Sequence, residues 1–149
     1  MADRTVSSIV VDAAPAAVLE VIADFEKYPE WTGAVKQVSV LERDQAGRGS
    51  QVRFVLDAGA IRDTYVLQYT WDFAEDGTGT LSWALVESTV LKSLDGTYTL
   101  TSVAGGTDVR YSLAVDLRIP MLGMLRRKAE KAIIDAALNE LKKRVESGT

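Results

Sequence analysis

The chain contains no cysteine and no histidine. Those absences exclude disulfides, thiol nucleophiles, zinc-finger sites and every acid–base scheme built on an imidazole. Proline is scarce, with three in 149 residues. No apolar run approaches the roughly 18 residues that a membrane-spanning helix requires. The first eleven residues carry Asp3 and Arg4 and lack an apolar h-region, so no signal peptide is expected and a cytoplasmic location is. Positive charge is not in excess either. The net charge of −4 leaves no global basic field to hold nucleic acid or an anionic bilayer, so no nucleic acid partner is expected, and without a run of spanning length no stable membrane insertion is either. Gly105-Gly106 lies between strand-like segments and opens no helix, so it is no phosphate cradle. Asp and Glu show no metal-ligand spacing, and neither a metal nor a cofactor is expected.

What remains is ordinary material for one folded domain spanning 1–149. Hydrophobic residues make up 47% and charged residues 26%, and there are no repeats or linkers. Residues 4–11 read as a first strand. Asp12 is placed to cap a short helix over 16–23, with Pro15 in its first turn. Residues 25–28 add a turn that Pro29 is expected to end. Strand-like segments follow at 35–43, 51–57, 62–73, 80–87, 96–103 and 108–118, separated mostly by Gly-containing turns. That is the pattern of an antiparallel meander. Two segments alternate cleanly. Tyr65, Leu67, Tyr69, Trp71 and Phe73 share one parity in the first, and Val109, Tyr111, Leu113, Val115 and Leu117 share one in the second. Each strand therefore has an apolar face and a wet one.

Pro120 then stops the last strand, and residues 121–146 read as one long helix rich in Ala, Leu, Lys, Arg and Glu. Steps of about 100° give a seam of Leu122, Leu125, Ala129, Ala132, Ile133 and Ala136. Toward the end the apolar face rotates to Ile134, Ala137, Leu138, Leu141 and Val145. A helix of this length must bury a face, and the apolar side of the sheet is the candidate.

Several local motifs carry a family resemblance. Phe25-Glu26-Lys27-Tyr28-Pro29-Glu30-Trp31, Asp95-Gly96-Thr97-Tyr98, Gly105-Gly106-Thr107-Asp108-Val109 and Ile119-Pro120-Met121 all match in kind and order. The chain resembles the START/Bet v1-like helix-grip superfamily over its whole length, in the branch of polyketide cyclases/dehydrases and coenzyme-Q-binding proteins. It is closest there to small actinobacterial members. The resemblance implies an α+β fold in which a curved antiparallel sheet of about seven strands wraps a long C-terminal helix, with two short helices after strand 1.

It also implies an internal cavity. Small alanines on the helix seam would leave volume there, and large amphipathic aromatics of the sheet would line it. The expected lining is Trp31, Phe54, Leu56, Tyr65, Leu67, Tyr69, Trp71, Trp83, Leu85, Tyr98, Tyr111 and Leu113 from the sheet side. Leu122, Leu125, Ala129 and Ile133 would face them from the helix. Tyr28, Pro29 and Trp31 could instead plug one end of the sheet, and the aromatics could simply fill the core. The partner expected is a hydrophobic small molecule such as a lipid, a quinone or a polyketide-like compound. A polyketide aromatase/cyclase/dehydratase is the alternative, and an interaction domain with a collapsed cavity is the third reading.

No catalytic constellation stands out. Glu87 shares the parity of Leu81, Trp83 and Leu85 and would be a base if it pointed inward, and Asp63 shares that of Tyr65. A strand-end, solvated Glu87 is the plainer reading. The resemblance implies that a cyclase would use an Arg-lined or Tyr-lined pocket, and Arg62, with outward parity, does not supply the inward arginine. Arg126, Arg127, Lys128, Lys131, Lys142, Lys143 and Arg144 are interspersed with Glu130, Asp135 and Glu140. That mixture reads as a solvated helix face, with transient contact to an anionic membrane as the minor alternative.

Overall fold

The computed structural model describes residues 4–57, 62–118 and 123–147, with side chains of the last helix described from residue 127 onward. Seven antiparallel strands form one sheet in the order β1-β7-β6-β5-β4-β3-β2. They are β1 (Thr5–Val11), β2 (Val35–Arg43), β3 (Gly49–Asp57), β4 (Arg62–Phe73), β5 (Gly79–Ser88), β6 (Leu91–Val103) and β7 (Gly106–Leu117). Two short helices, α1 (Pro15–Ala23) and α2 (Tyr28–Trp31), follow β1, joined by a 3-10 turn at Phe25–Lys27. The chain closes with α3 (Gly123–Glu146). This is the helix-grip fold.

Local chemistry sets most of these boundaries. Pro15 opens α1, where its missing amide costs nothing, and Pro15, Val18, Leu19 and Ile22 give it one buried stripe. Two expectations fail here. The N-cap is Ala14 in extended conformation, without a side-chain cap, and the Asp12 N–H instead donates to Glu146. Pro29 does not end a helix but sits in the first turn of α2, another position that needs no amide donor.

The meander departs from the sequence reading in one strand. β6 begins at Leu91, five residues before the expected start. Its connection to β5 is the bare dipeptide Thr89-Val90, which carries no glycine or proline signal. Pairing between the two strands runs only from Gly79–Leu100 to Trp83–Gly96, so they part toward their turn. A register shift at Val86 adds one residue to β5, opposing Val66 to Glu87 and Leu67 to Leu85. A bulge of this kind reverses parity beyond it. Ser88 therefore faces inward beside Asp63, and Glu87 is exposed.

Helix α3 lies chiefly against β1, β7, α1 and α2. Its buried stripe is Glu130, Ile134, Leu138 and Leu141, with Ala137 and Val145 partly covered. The face expected toward the C-terminal end, Ile134, Ala137, Leu138, Leu141 and Val145, is thus the one that packs inward, while the seam expected before it does not hold. Ile133 is 46% exposed, Ala132 and Ala136 are exposed, and Ala129 is half-buried. Leu122 and the side chain of Leu125 lie outside the described residues. Two apolar stripes compete on this alanine-rich helix. The one carrying Ile134, Leu138 and Leu141 removes more carbon from water, at about 25 cal/mol per Å². Ala132 and Ala136 therefore face solvent.

Three polar contacts fix α3 along β1. The Thr5 hydroxyl donates to Glu130 Oε1 at 2.7 Å, Lys142 Nζ donates to the Val10 carbonyl at 2.8 Å, and the Asp12 N–H donates to Glu146 Oε2 at 2.9 Å. Glu130 is only 1% exposed, so its expected place on a solvated face is also corrected. β1 begins opposite Leu113, and the next N–H of β7 to face that side, Val115, donates to Glu130 Oε2 at 2.6 Å. The carboxylate supplies the acceptor that a longer β1 would have provided.

Candidate functional site

The sheet's inner face beyond the helix is aromatic, and strand register puts the rings together. Phe54 stands opposite Tyr65, Tyr69 opposite Trp83, and Tyr98 opposite Tyr111. Directly opposed residues on one face of an antiparallel pair are close enough for their rings to meet. Tyr98 and Tyr111 meet edge to face with centroids 4.7 Å apart, and Trp83 touches both at 5.3 and 5.4 Å. The row continues through Tyr69, 5.8 Å from Trp83, and Phe54 stacks on Tyr65 at 5.4 Å.

Gly96 makes room for Trp83. A Cβ at position 96 would fall 2.3 Å from the indole ring, so only a residue without one lets Trp83 lie across β6.

Phe25 and Tyr28 close one end. Phe25 packs on Tyr69 at 4.7 Å and Tyr28 on Trp31 at 5.0 Å, with Phe54 behind both. The Tyr28 hydroxyl donates to the Ile22 carbonyl at 2.6 Å. Trp71 stands at the same end. Its indole N–H donates to the Gly49 carbonyl and Arg48 lies over its ring at 5.2 Å. Trp31 is half-buried and also borders an outer groove of about 380 Å³ with Val21, Lys27 and Arg144.

All five tyrosines resist ionisation. Burial is the first cause in each case and pushes Tyr69, Tyr98 and Tyr111 well above the ordinary 10.0. Tyr28 and Tyr65 are raised for the same reason. Neighbouring phenols add to the effect at Tyr69, where Tyr28, Tyr65, Tyr111 and Tyr98 all contribute. The phenols thus form one cluster. The hydroxyls of Tyr65, Tyr69, Tyr98 and Tyr111 make no hydrogen bond to another described residue. No described side-chain oxygen or nitrogen, however, is both sealed from water and unpartnered. These four oxygens are therefore within reach of a water molecule although their rings are covered.

Asp63 continues the inward parity of Tyr65 and Leu67 and is 6% exposed. Ser88 donates to its Oδ2, and Thr89 donates to its Oδ1 at 2.9 Å. Ser88 Oγ in turn accepts the N–H groups of Val90 and Leu91, holding the turn where the strands have parted. Its charge is the second cause of the raised Tyr65 phenol.

Of the expected lining residues, Phe54, Leu67, Tyr69, Trp83, Tyr98, Tyr111 and Leu113 are buried on the inner face. Leu56, Tyr65, Trp71 and Leu85 are partly buried there. Sequence reasoning missed Phe25, Tyr28 as a ring partner of Phe54, and the inward turn of Ser88. It also missed Glu130, whose signal was its place four residues before Ile134 on the buried stripe. Among the described residues no group of three or more acidic side chains is placed to hold a metal ion, and no helix is long and apolar enough to cross a membrane.

Sheet, helix and enclosed aromatic row define a helix-grip protein of the START/Bet v1-like class. More narrowly, the chain belongs to the family described as polyketide cyclase/dehydrase and lipid transport, whose profile matches residues 2–146. A START superfamily protein from Mycobacterium smegmatis shares the fold at TM-score 0.89 and 20% identity, over 98% of this chain and 99% of its own. The Zhui aromatase/cyclase of a Streptomyces strain superposes at TM-score 0.79 and 17% identity, covering 98% and 94%. A Thermus thermophilus protein does so at 0.80 and 22%, covering 99% of each. No curated protein matches the sequence.

Proposed function

We propose that this chain binds a hydrophobic small molecule, a lipid, quinone or polyketide-like compound, in a cavity between α3 and the aromatic half of the sheet. The observation that carries the reading is the phenol cluster. Three tyrosine rings, Tyr69, Tyr98 and Tyr111, are enclosed and Tyr65 is partly covered, while the four hydroxyls find no described protein partner and remain within reach of water. In a core packed only for stability, buried hydroxyls are bonded to protein groups, because an unmade hydrogen bond costs about 1–3 kcal/mol. A ligand with an apolar body and a few polar atoms would use these hydroxyls for orientation and the rings for affinity.

The family description supports the same class of ligand. It also supports a second reading, cyclisation or dehydration of a polyketide. For that reading the inward Asp63 is the specific observation, as an ionisable group inside the cavity.

Native mass spectrometry of the purified protein, followed by organic extraction, tests the proposal. Co-purification of a stoichiometric apolar compound is the expected result. A bare protein that also fails to bind a hydrophobic fluorescent dye would overturn it in favour of a collapsed core.

A further inference from the structure

Asp63 is a buried carboxylate that no cation answers. Among the described residues its partners are the hydroxyls of Ser88 and Thr89, and none of the ion pairs includes it. Arg62, next to it in the chain, pairs with Asp57 at 3.4 Å, and Arg118 donates to the Ser88 carbonyl instead. A carboxylate taken out of water normally recovers its solvation from a cation or from several strong donors. Two neutral hydroxyls leave half of the roughly four lone-pair sites of an ionised carboxylate unused. The alternation of β4 aims this group along the face that carries Tyr65, Leu67 and Tyr69, not toward solvent. Tyr65, two residues along the same face, has a hydroxyl with no described partner either. This end of the aromatic row therefore carries an acceptor and a phenol on one face.

From this geometry we infer that Asp63 is a specificity-determining residue that accepts a hydrogen bond from a hydroxyl group on the bound molecule. The ligand class is thereby narrowed to apolar compounds with a phenolic or alcoholic hydroxyl at one end, because a plain hydrocarbon leaves the carboxylate unanswered. A site built to receive a donor discriminates sharply against the analogue without it, since the buried acceptor is then stranded. The inference rests on the cavity reading above.

The competing account of Asp63 is structural: it holds Ser88 and Thr89 and so the β5–β6 turn. The test separates the two with a matched pair of probes, β-naphthol and naphthalene, titrated into the intact protein. The quantity read is the ratio of their dissociation constants. The wild-type chain prefers β-naphthol, and Asp63→Asn lowers that preference by about tenfold, the scale of a hydrogen bond to a charged group. Thr89→Val removes a donor of the turn but keeps the acceptor, and the preference is retained. If Asp63→Asn leaves the ratio unchanged, or Thr89→Val lowers it equally, Asp63 acts only through the turn and the inference falls. Should both probes bind the wild-type chain without preference, the assignment fails while the cavity stands. Should neither bind, the cavity reading fails with it.

Discussion

The two halves of the sheet are built from different materials. On the β1–β7 side, α3 presses Ile134 and Leu141 into a core of aliphatic residues such as Val11, Val109 and Leu113, all fully buried. Its borders are fastened by bonds from Thr5, Val115, Lys142 and Asp12. On the β3–β5 side the inner face is rings and phenols, reached by Phe25 and Tyr28 and not principally by the helix. The buried carboxylates divide in the same way. Glu130 is tied to β1 and β7 and completes their edge, whereas Asp63 holds a turn and keeps unused acceptor capacity on the same face as an unbonded phenol. Polar groups of similar burial can thus serve architecture in one place and recognition in another. What distinguishes them is whether protein partners use up their hydrogen-bonding capacity.

High pH should break the aromatic half most completely. Below the ordinary tyrosine value of 10.0 the phenols are neutral whether the chain is folded or not. Above it the unfolded chain releases protons that the folded one retains, because burial raises all five tyrosines. Stability is therefore fully present below that value and is lost as pH rises beyond it. Tyrosinate absorbance should appear together with the loss of near-ultraviolet circular dichroism, in one step. Several tyrosines titrating near 10 in the folded protein would show ordinary solvated phenols and erase the contrast.

A smaller effect is expected from Glu130→Ala on the fastened side. The substitution strands the Val115 N–H and the Thr5 hydroxyl at a cost of about 1–3 kcal/mol in urea unfolding. A neutral result would mean that the clamp adds nothing to the helix contact. The smallest effect belongs to Tyr98→Phe, which deletes a hydroxyl with no described partner and should alter stability by no more than about 0.5 kcal/mol. If its cost matched that of Glu130→Ala, the phenol would be holding a fixed bond within the fold.

The sequence resolved the sheet better than the helix that fills it. Strict alternation in β4 and β7 named the inward rings, since a strand with one wet face has a single workable register. β6 was half hidden because its turn is made by side chains, Ser88 and Asp63, with no glycine or proline to mark it. Parity in β5 held as far as Leu85 and failed beyond the Val86 bulge, which turns Ser88 inward and leaves Glu87 exposed, as its plainer reading expected. On α3 the choice between stripes was not local. It depends on which stripe meets β1 and β7: the face of Ile134, Leu138 and Leu141 is buried as expected, whereas Ala132, Ile133 and Ala136 turn to solvent. The aromatic face and the inward Asp63 were therefore legible, while the failed first seam of α3 and the burial of Glu130 required the packed structure.

The edge contact between Thr5 and Glu130 joins residues 125 positions apart. Strands β2 to β7 can zip together hairpin by hairpin, each beside its neighbour in the chain. β1 has no such neighbour, for its only partner in the sheet is β7. Its docking is a loop closure over most of the polypeptide, the kind of non-local step that slows folding. Among the strand pairings described, that of β1 with β7 closes the longest stretch of chain.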